Sequence, residues 1–207
     1  MSLGPTGPAA RRPASWAASL RVVRPLLPAS LTLSAVLVGG CGEATGSVEL
    51  AWVFVDRDGD PIFPGGVFSI DDERDTCDLP GIVGEQALTY DLRVELEICD
   101  TSCTAGCDAE ECLVLPRRLF ACNTARGNEP DVPASEDPYR FTLRAVLSAP
   151  ALDVECRDAA PTCLAVPAPR ERVLEAGRVL DLQVQQIAVD VDRTGGEALD
   201  LESCGCA

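Results

Sequence analysis

The sequence predicts an all-β protein, an antiparallel β-sandwich with disulfide-stapled loops, and three observations carry that prediction. Apolar and polar residues alternate with period two in segment after segment. No stretch longer than about ten residues carries a helical stripe. Glycine- and proline-rich turn signals ("DGDP", "PGG", "GNEPDVPASEDP", "APAP") separate the alternating segments, and eleven cysteines accompany them.

The strands follow in order. In "SVELAWVFVD", Val48, Leu50, Trp52 and Phe54 share the inward face. In "YDLRVELEIC", Tyr90, Leu92, Val94, Leu96 and Ile98 point inward, and Asp91, Arg93, Glu95 and Glu97 point to water. In "YRFTLRAVL", Tyr139, Phe141, Leu143, Ala145 and Leu147 form the inward set. Further strands are predicted at Phe63–Ile70, Cys112–Ala121, Leu152–Cys156, Cys163–Val166, Arg170–Leu174 and Val179–Val191. Within the last, Leu180, Leu182 and Val184 are out of phase with Ile187, Val189 and Val191, which places a β-bulge at Gln185-Gln186.

Charge divides the chain. Its net charge of -16 over 207 residues splits into +4 before Cys41, from Arg11, Arg12, Arg21 and Arg24, and -20 from Cys41 onward. A body that acidic repels nucleic acid, so no nucleic-acid partner is expected. Its 46% apolar content still supplies a core, and residues 47–207 suffice for one domain.

The positive end has the layout of an export signal: Arg21 and Arg24, then the apolar run Leu26–Val38, then Gly39 and Gly40. The run is shorter than the roughly 20 residues a membrane helix needs, and Pro28 interrupts it. The tetrapeptide Val38-Gly39-Gly40-Cys41 resembles the lipobox of bacterial lipoproteins. That resemblance implies a signal peptide over 1–40, cleavage before Cys41, acylation of Cys41 and a lipid-anchored linker over 41–46. Gly42 rather than Asp beside it implies the outer membrane by the family's sorting rule. The expected location is therefore the cell envelope, with the membrane reached through the lipid anchor.

Setting Cys41 aside leaves an even set: Cys77, Cys99, Cys103, Cys107, Cys112, Cys122, Cys156, Cys163, Cys204 and Cys206. In an exported chain these predict up to five disulfides of open connectivity. Four of them fall in "CDTSCTAGCDAEEC", Cys99 to Cys112. A metal cluster there is disfavoured, because the C-x-x-C knuckle is missing, the chain has no histidine, and Asp100, Asp108, Glu110 and Glu111 oppose the thiolate. Cys204 and Cys206 stand too close to bridge each other easily. Each is expected to pair elsewhere, with Cys77 and the 99–112 loop as the favoured partners.

Tyr139, just after Asp137-Pro138 where its strand should open, resembles the tyrosine corner of immunoglobulin-like folds. The order Trp52, Cys77, Cys122, Tyr139 and "LEAGRVLDLQVQQIAVDV" is similar to the single Ig-like or transthyretin-like domain of bacterial envelope lipoproteins.

Chemistry is thinly represented. Without histidine or lysine there is no Ser-His-Asp triad, Cys-His pair, Ser-Lys dyad or Schiff base. No dinucleotide fingerprint or P-loop occurs, so no cofactor is expected. "DRDGDP" offers Asp56, Asp58 and Asp60 to calcium, but Gly59 falls early, Pro61 sits where glycine is required and Phe68 replaces the final glutamate. A hairpin turn accounts for the same residues. The acidic run Ile70–Asp75 reads as solvated loop. The expected function is a non-enzymatic, lipid-anchored binding or structural module with a protein or glycan partner in the envelope. The alternatives are a calcium-dependent extracellular module and a cofactor-free hydrolase working with two carboxylates.

Overall fold

The computed structural model describes residues 43–63, 69–71, 76–149, 154–191 and 198–206, all within the unit Cys41–Ala207. Cys41, the expected signal segment 1–40, the "PGG" turn and most of the expected Phe63–Ile70 strand lie outside the described residues. The strands are β1 (Thr45–Val55), β2 (Pro61–Phe63), β3 (Ser69–Asp71), β4 (Thr76–Val83), β5 (Gln86–Asp100), β6 (Arg118–Ala121) and β7 (Arg126–Pro133). They continue with β8 (Ser135–Ala149), β9 (Val154–Cys156), β10 (Leu164–Ala165), β11 (Arg170–Leu174), β12 (Val179–Val189) and β13 (Leu199–Asp200).

Two sheets pack face to face, as the alternation predicted. One has the order β10-β12-β1, and the far side of β1 is shared by β2 and β7. The other runs β11-β8-β5-β4-β13, with β3 on β4, β6 on β5 and β9 on β8. Neither is purely antiparallel, because β1 pairs with β12 and β13 pairs with β4 in parallel. Each of these pairs joins strands far apart in the chain, so no hairpin sets their direction. The inward sets close one core: Trp52, Phe54, Tyr90, Leu92, Leu96, Leu147 and Ile187 are all nearly inaccessible. Full burial of such a side chain contributes about 1.5–3 kcal/mol. The Trp52 indole donates to the Cys122 carbonyl at 3.3 Å and packs 6.0 Å from the Phe120 ring.

The structure corrects several boundaries. Strand β4 escapes the alternation rule because Pro80-Gly81 interrupts it; Gly81 is needed there, since a Cβ would sit 1.8 Å from Tyr90 Cε2. "GNEPDVPASEDP", read as turn, is β7 through Pro133 and, after Ala134, the start of β8. Among the described residues β7 pairs only with β1, and a bulge with Asp131 at φ 56° absorbs the irregular stretch. Strand Cys112–Ala121 shrinks to Arg118–Ala121, because Cys112 is tied into a disulfide with Cys103 and Pro116 lacks an amide to donate. Tyr139 does not open its strand; β8 starts at Ser135, and Tyr139 packs edge-on to Phe141 at 6.5 Å.

The bulge in β12 lies earlier than expected. Asp181 pairs with Glu49 and Val184 with Ala51, so the extra residue falls at Leu182-Gln183, with Gln183 at φ 63°. The Asp181 carboxylate accepts the Gln183 amide at 2.7 Å and holds that turn. Val184, expected inward, is 60% exposed, and Gln185 is buried in its stead.

Candidate functional site

The main correction concerns β5. Its polar stripe, expected in water, is buried: Asp91, Glu95 and Glu97 are 5%, 1% and 2% exposed. Across the ladder, Glu95 faces Arg144 of β8 on one side and Leu119 of β6 on the other. Carboxylates reach the interior only with partners, and arginines supply them. Glu97 accepts from Arg117 Nε at 2.8 Å and lies 3.6 Å from Arg144. Glu95 is ion-paired through Oε2 to Arg157, which also meets Glu155 at 2.5 Å. Arg144 reaches outward to Asp158 at 2.7 Å. The hydrogen bond to Glu97, ahead of the surrounding carboxylates, raises the Arg117 pKa further above its ordinary value.

Beside Glu95 and Glu97 runs the segment that follows the cysteine-rich loop; it brings Arg117 onto Glu97 and lines a cleft with Glu95. Cys99 pairs with Cys107 and Cys103 with Cys112, with Cα separations of 5.6 Å in both. The two bridges interlace, so neither half of the loop opens without the other. Asp100 starts the loop, accepting from the Ser102 hydroxyl at 2.7 Å and its amide at 2.8 Å, which lowers the Asp100 pKa. A bridge between Cys99 and Leu113, and the Val114 amide on the Ile98 carbonyl at 2.9 Å, then lay residues 113–117 along the end of β5.

Between that segment and β5 lies a cleft of about 550 Å³. Leu113, Leu115 and Leu119 give it an apolar side, and Glu95, Glu110, Arg117 and Arg157 give it a charged one. The size falls within the range of small-ligand sites. The Glu95 Oε1 atom is out of contact with solvent and has no hydrogen-bond partner.

The other residues predicted for a site are placed as follows. All ten cysteines of the body form disulfides; beyond the two in the loop these are Cys77–Cys122, Cys156–Cys206 and Cys163–Cys204. Cys204 and Cys206 do pair elsewhere, with Gly205 at φ 74° between them, but their partners are Cys163 and Cys156. The favoured partners were engaged already, Cys77 by Cys122 and the loop cysteines by one another. At "DRDGDP", Asp56 is buried and its Oδ1 accepts the amides of Asp58 and Asp60 at 3.0 and 2.9 Å. That carboxylate holds the hairpin from β1 to β2 together. Among the described residues, no group of three or more acidic, cysteine or histidine side chains is placed to hold a metal ion.

Alternation alone missed Glu95 and Glu97, yet one signal was present. Val146 shares the outward face of β8 with Arg140, Thr142 and Arg144, and it is 3% exposed. An apolar residue in a polar register marks a covered face. Compared with protein-family models, with curated proteins and with solved structures, the chain finds no match in any of the three.

Proposed function

We propose that the chain is a lipid-anchored protein of the bacterial cell envelope whose sandwich is a non-enzymatic binding module, with the cleft over β5 as its site. The anchor rests on the sequence alone: the short apolar run and the lipobox-like Val38-Gly39-Gly40-Cys41. Five disulfides in the body agree with an oxidising compartment. The Trp52, Cys77, Cys122 and Tyr139 order supports an Ig-like or transthyretin-like relationship.

One observation carries the binding reading: a cleft of ligand size whose lip leads from a doubly bridged loop and whose floor is an ion-paired network. Rigid walls suit recognition, because little ordering is left to do on binding. The hydrolase alternative asks for two carboxylates facing one scissile bond. Glu95 and Glu97 are instead each committed to an arginine. The calcium alternative rested on Asp56, Asp58 and Asp60, and the Oδ1 of Asp56 is occupied by the turn's own amides.

A photo-crosslinking residue placed at Leu119, inside the cleft, tests the reading in intact cells, with one at the exposed Glu175 as control. Adducts specific to position 119 are expected. Equal labelling at both positions, or none at 119, would overturn it. The anchor has its own test: mass spectrometry should return an acylated peptide beginning at Cys41. Processed, membrane-bound Cys41→Ser protein would sink that part.

A further inference from the structure

We infer that β1 is a mechanical latch between the membrane anchor and the cleft. Under tension it holds in shear, then slips and releases a leash that ends at the Cys77–Cys122 bridge. This rests on the anchor and the cleft proposed above, and concerns the strand that joins them.

The disulfides are distributed unevenly. All five bridges lie between Cys77 and Cys206, and Cys41 is the one cysteine ahead of Cys77. Among the described residues, therefore, no bridge reaches β1, β2 or β3. Yet β1 has neighbours on both edges and buries Val48, Leu50, Trp52 and Phe54. It is also the first strand after the expected acylation site, so a pull from the membrane enters it at Thr45.

The direction of that pull decides how β1 resists. It runs parallel to β12 from the pair Ser47 with Val179 to the pair Val55 with Ala188, and β7 flanks it from Thr45 to Ala51. The cleft is not level with Thr45. Leu119 in its wall adjoins Phe120, whose ring packs 6.0 Å from Trp52. Trp52 is seven residues along β1 from Thr45, or about 23 Å at the usual strand rise. Tension between Thr45 and the cleft therefore drags β1 lengthwise. Both ladders must slip together, and the four apolar side chains must leave the core in the same step. The barrier to that single step sets the force the strand withstands.

The end of the leash is covalent. Once β1 has slipped, the chain straightens as far as Cys77, where the bridge passes the load to Cys122, three residues from Leu119. The tether yields to a displaced partner while its covalent path to the cleft stays intact.

The turn before β12 supplies a contrast within the same molecule. The Gly177 amide donates to the Thr45 carbonyl at 2.7 Å, and the Ser47 amide donates to the Arg178 carbonyl at 2.9 Å. Glu175 thus stands beside the start of β1. A pull between these two points opens the β1–β12 pairs from one end, one after another.

Single-molecule stretching of the purified, oxidised protein tests this. Azide-bearing residues at position 43 and at either 119 or 175 take the handles and leave the cysteines bridged. All three positions are exposed, so the handles spare the core. Between 43 and 119 one abrupt event is expected, with a release of no more than about 120 Å for the chain up to the bridge. Its force should be at least about twice that of the first event between 43 and 175. Equal forces in the two directions, or gradual lengthening between 43 and 119, overturn the latch. A release between 43 and 119 well beyond that length overturns the leash. Failure of the anchor or of the cleft shows elsewhere, in the acylated peptide or in the crosslinks at 119, and not in these forces.

Discussion

The outward face of the eight-stranded sheet at β5 and the outward face of the five-stranded sheet at β1 and β12 are built from similar residues. The first carries Asp91, Arg93, Glu95 and Glu97; the second carries Glu49, Asp181, Gln183 and, from β7, Arg126 and Asn128. Their fates differ. Glu95 and Glu97 are buried beside the segment that follows the bridged loop and are paired to arginines, while Glu49 and Asp181 border a broad open groove of about 820 Å³. Glu49 there has a 3.5 Å contact with Asn128, at the limit of a hydrogen bond. The difference teaches that a polar stripe leaves water only where neighbouring segments cover it. Cover removes water, and water is what makes ion pairs and hydrogen bonds cheap to exchange.

The comparison breaks most visibly if the cover is unpinned. Replacing Cys99, Cys103, Cys107 and Cys112 by serine removes both bridges of the loop, whose sequence separations are 8 and 9. Loops that short still contribute about 2–3 kcal/mol each in the chain-entropy account. The expected result is a lower urea midpoint and loss of crosslinking at position 119. A midpoint and crosslinking pattern like those of the parent protein would show that the cover holds without its bridges.

A smaller effect compares one carboxylate from each face. Glu97→Ala leaves Arg117 and Arg144 facing each other without their shared anion. Removing one member of a buried pair costs about 3–5 kcal/mol, and arginines 31% and 29% exposed recover part of that through water, so a loss of about 1–3 kcal/mol is expected. Glu49→Ala, on the open face, should stay within about 0.5 kcal/mol. Equal losses in chemical denaturation would erase the distinction between the faces.

Much of the fold was legible because a half-buried strand writes itself as alternation. Val48 to Phe54, Tyr90 to Ile98 and Tyr139 to Leu147 all point where period two puts them. Alternation says which residues share a face and not what lies against that face, so the second burial of β5 was hidden. The arginines that make it tolerable come from β8, from just before β6 and from just after β9, a juxtaposition only the tertiary fold creates. The same limit applies to the disulfides: their number was readable by parity, while the partners of Cys204 and Cys206 depended on where β13 delivers the tail. At Gln183, a left-handed residue reset the phase two places before the sequence suggested.

The smallest expected effect separates the inner face of β5 from its charged outer one. Tyr90 begins the inward set, is fully buried, and its hydroxyl has no hydrogen-bond partner. Burial, with the Asp200 carboxylate adding to it, raises the Tyr90 pKa above its ordinary 10.0. Tyr139 is raised as well, mainly by burial. A phenol with a higher pKa in the folded state holds its proton longer there than in the unfolded chain. Its contribution is therefore complete below the unfolded value and is lost as pH rises through the folded one, so stability should fall from about pH 10 upward. No lysine is present and the ten body cysteines are bridged, so among the described residues the tyrosines alone titrate in that range. Tyr90→Phe discards an unpartnered hydroxyl and keeps the ring over Gly81. It should change stability at neutral pH by less than about 1 kcal/mol and flatten the alkaline decline. Urea midpoints measured from pH 7 to pH 11 check this, and an alkaline limb identical to the parent's would mean that the inner face of β5 does not set it.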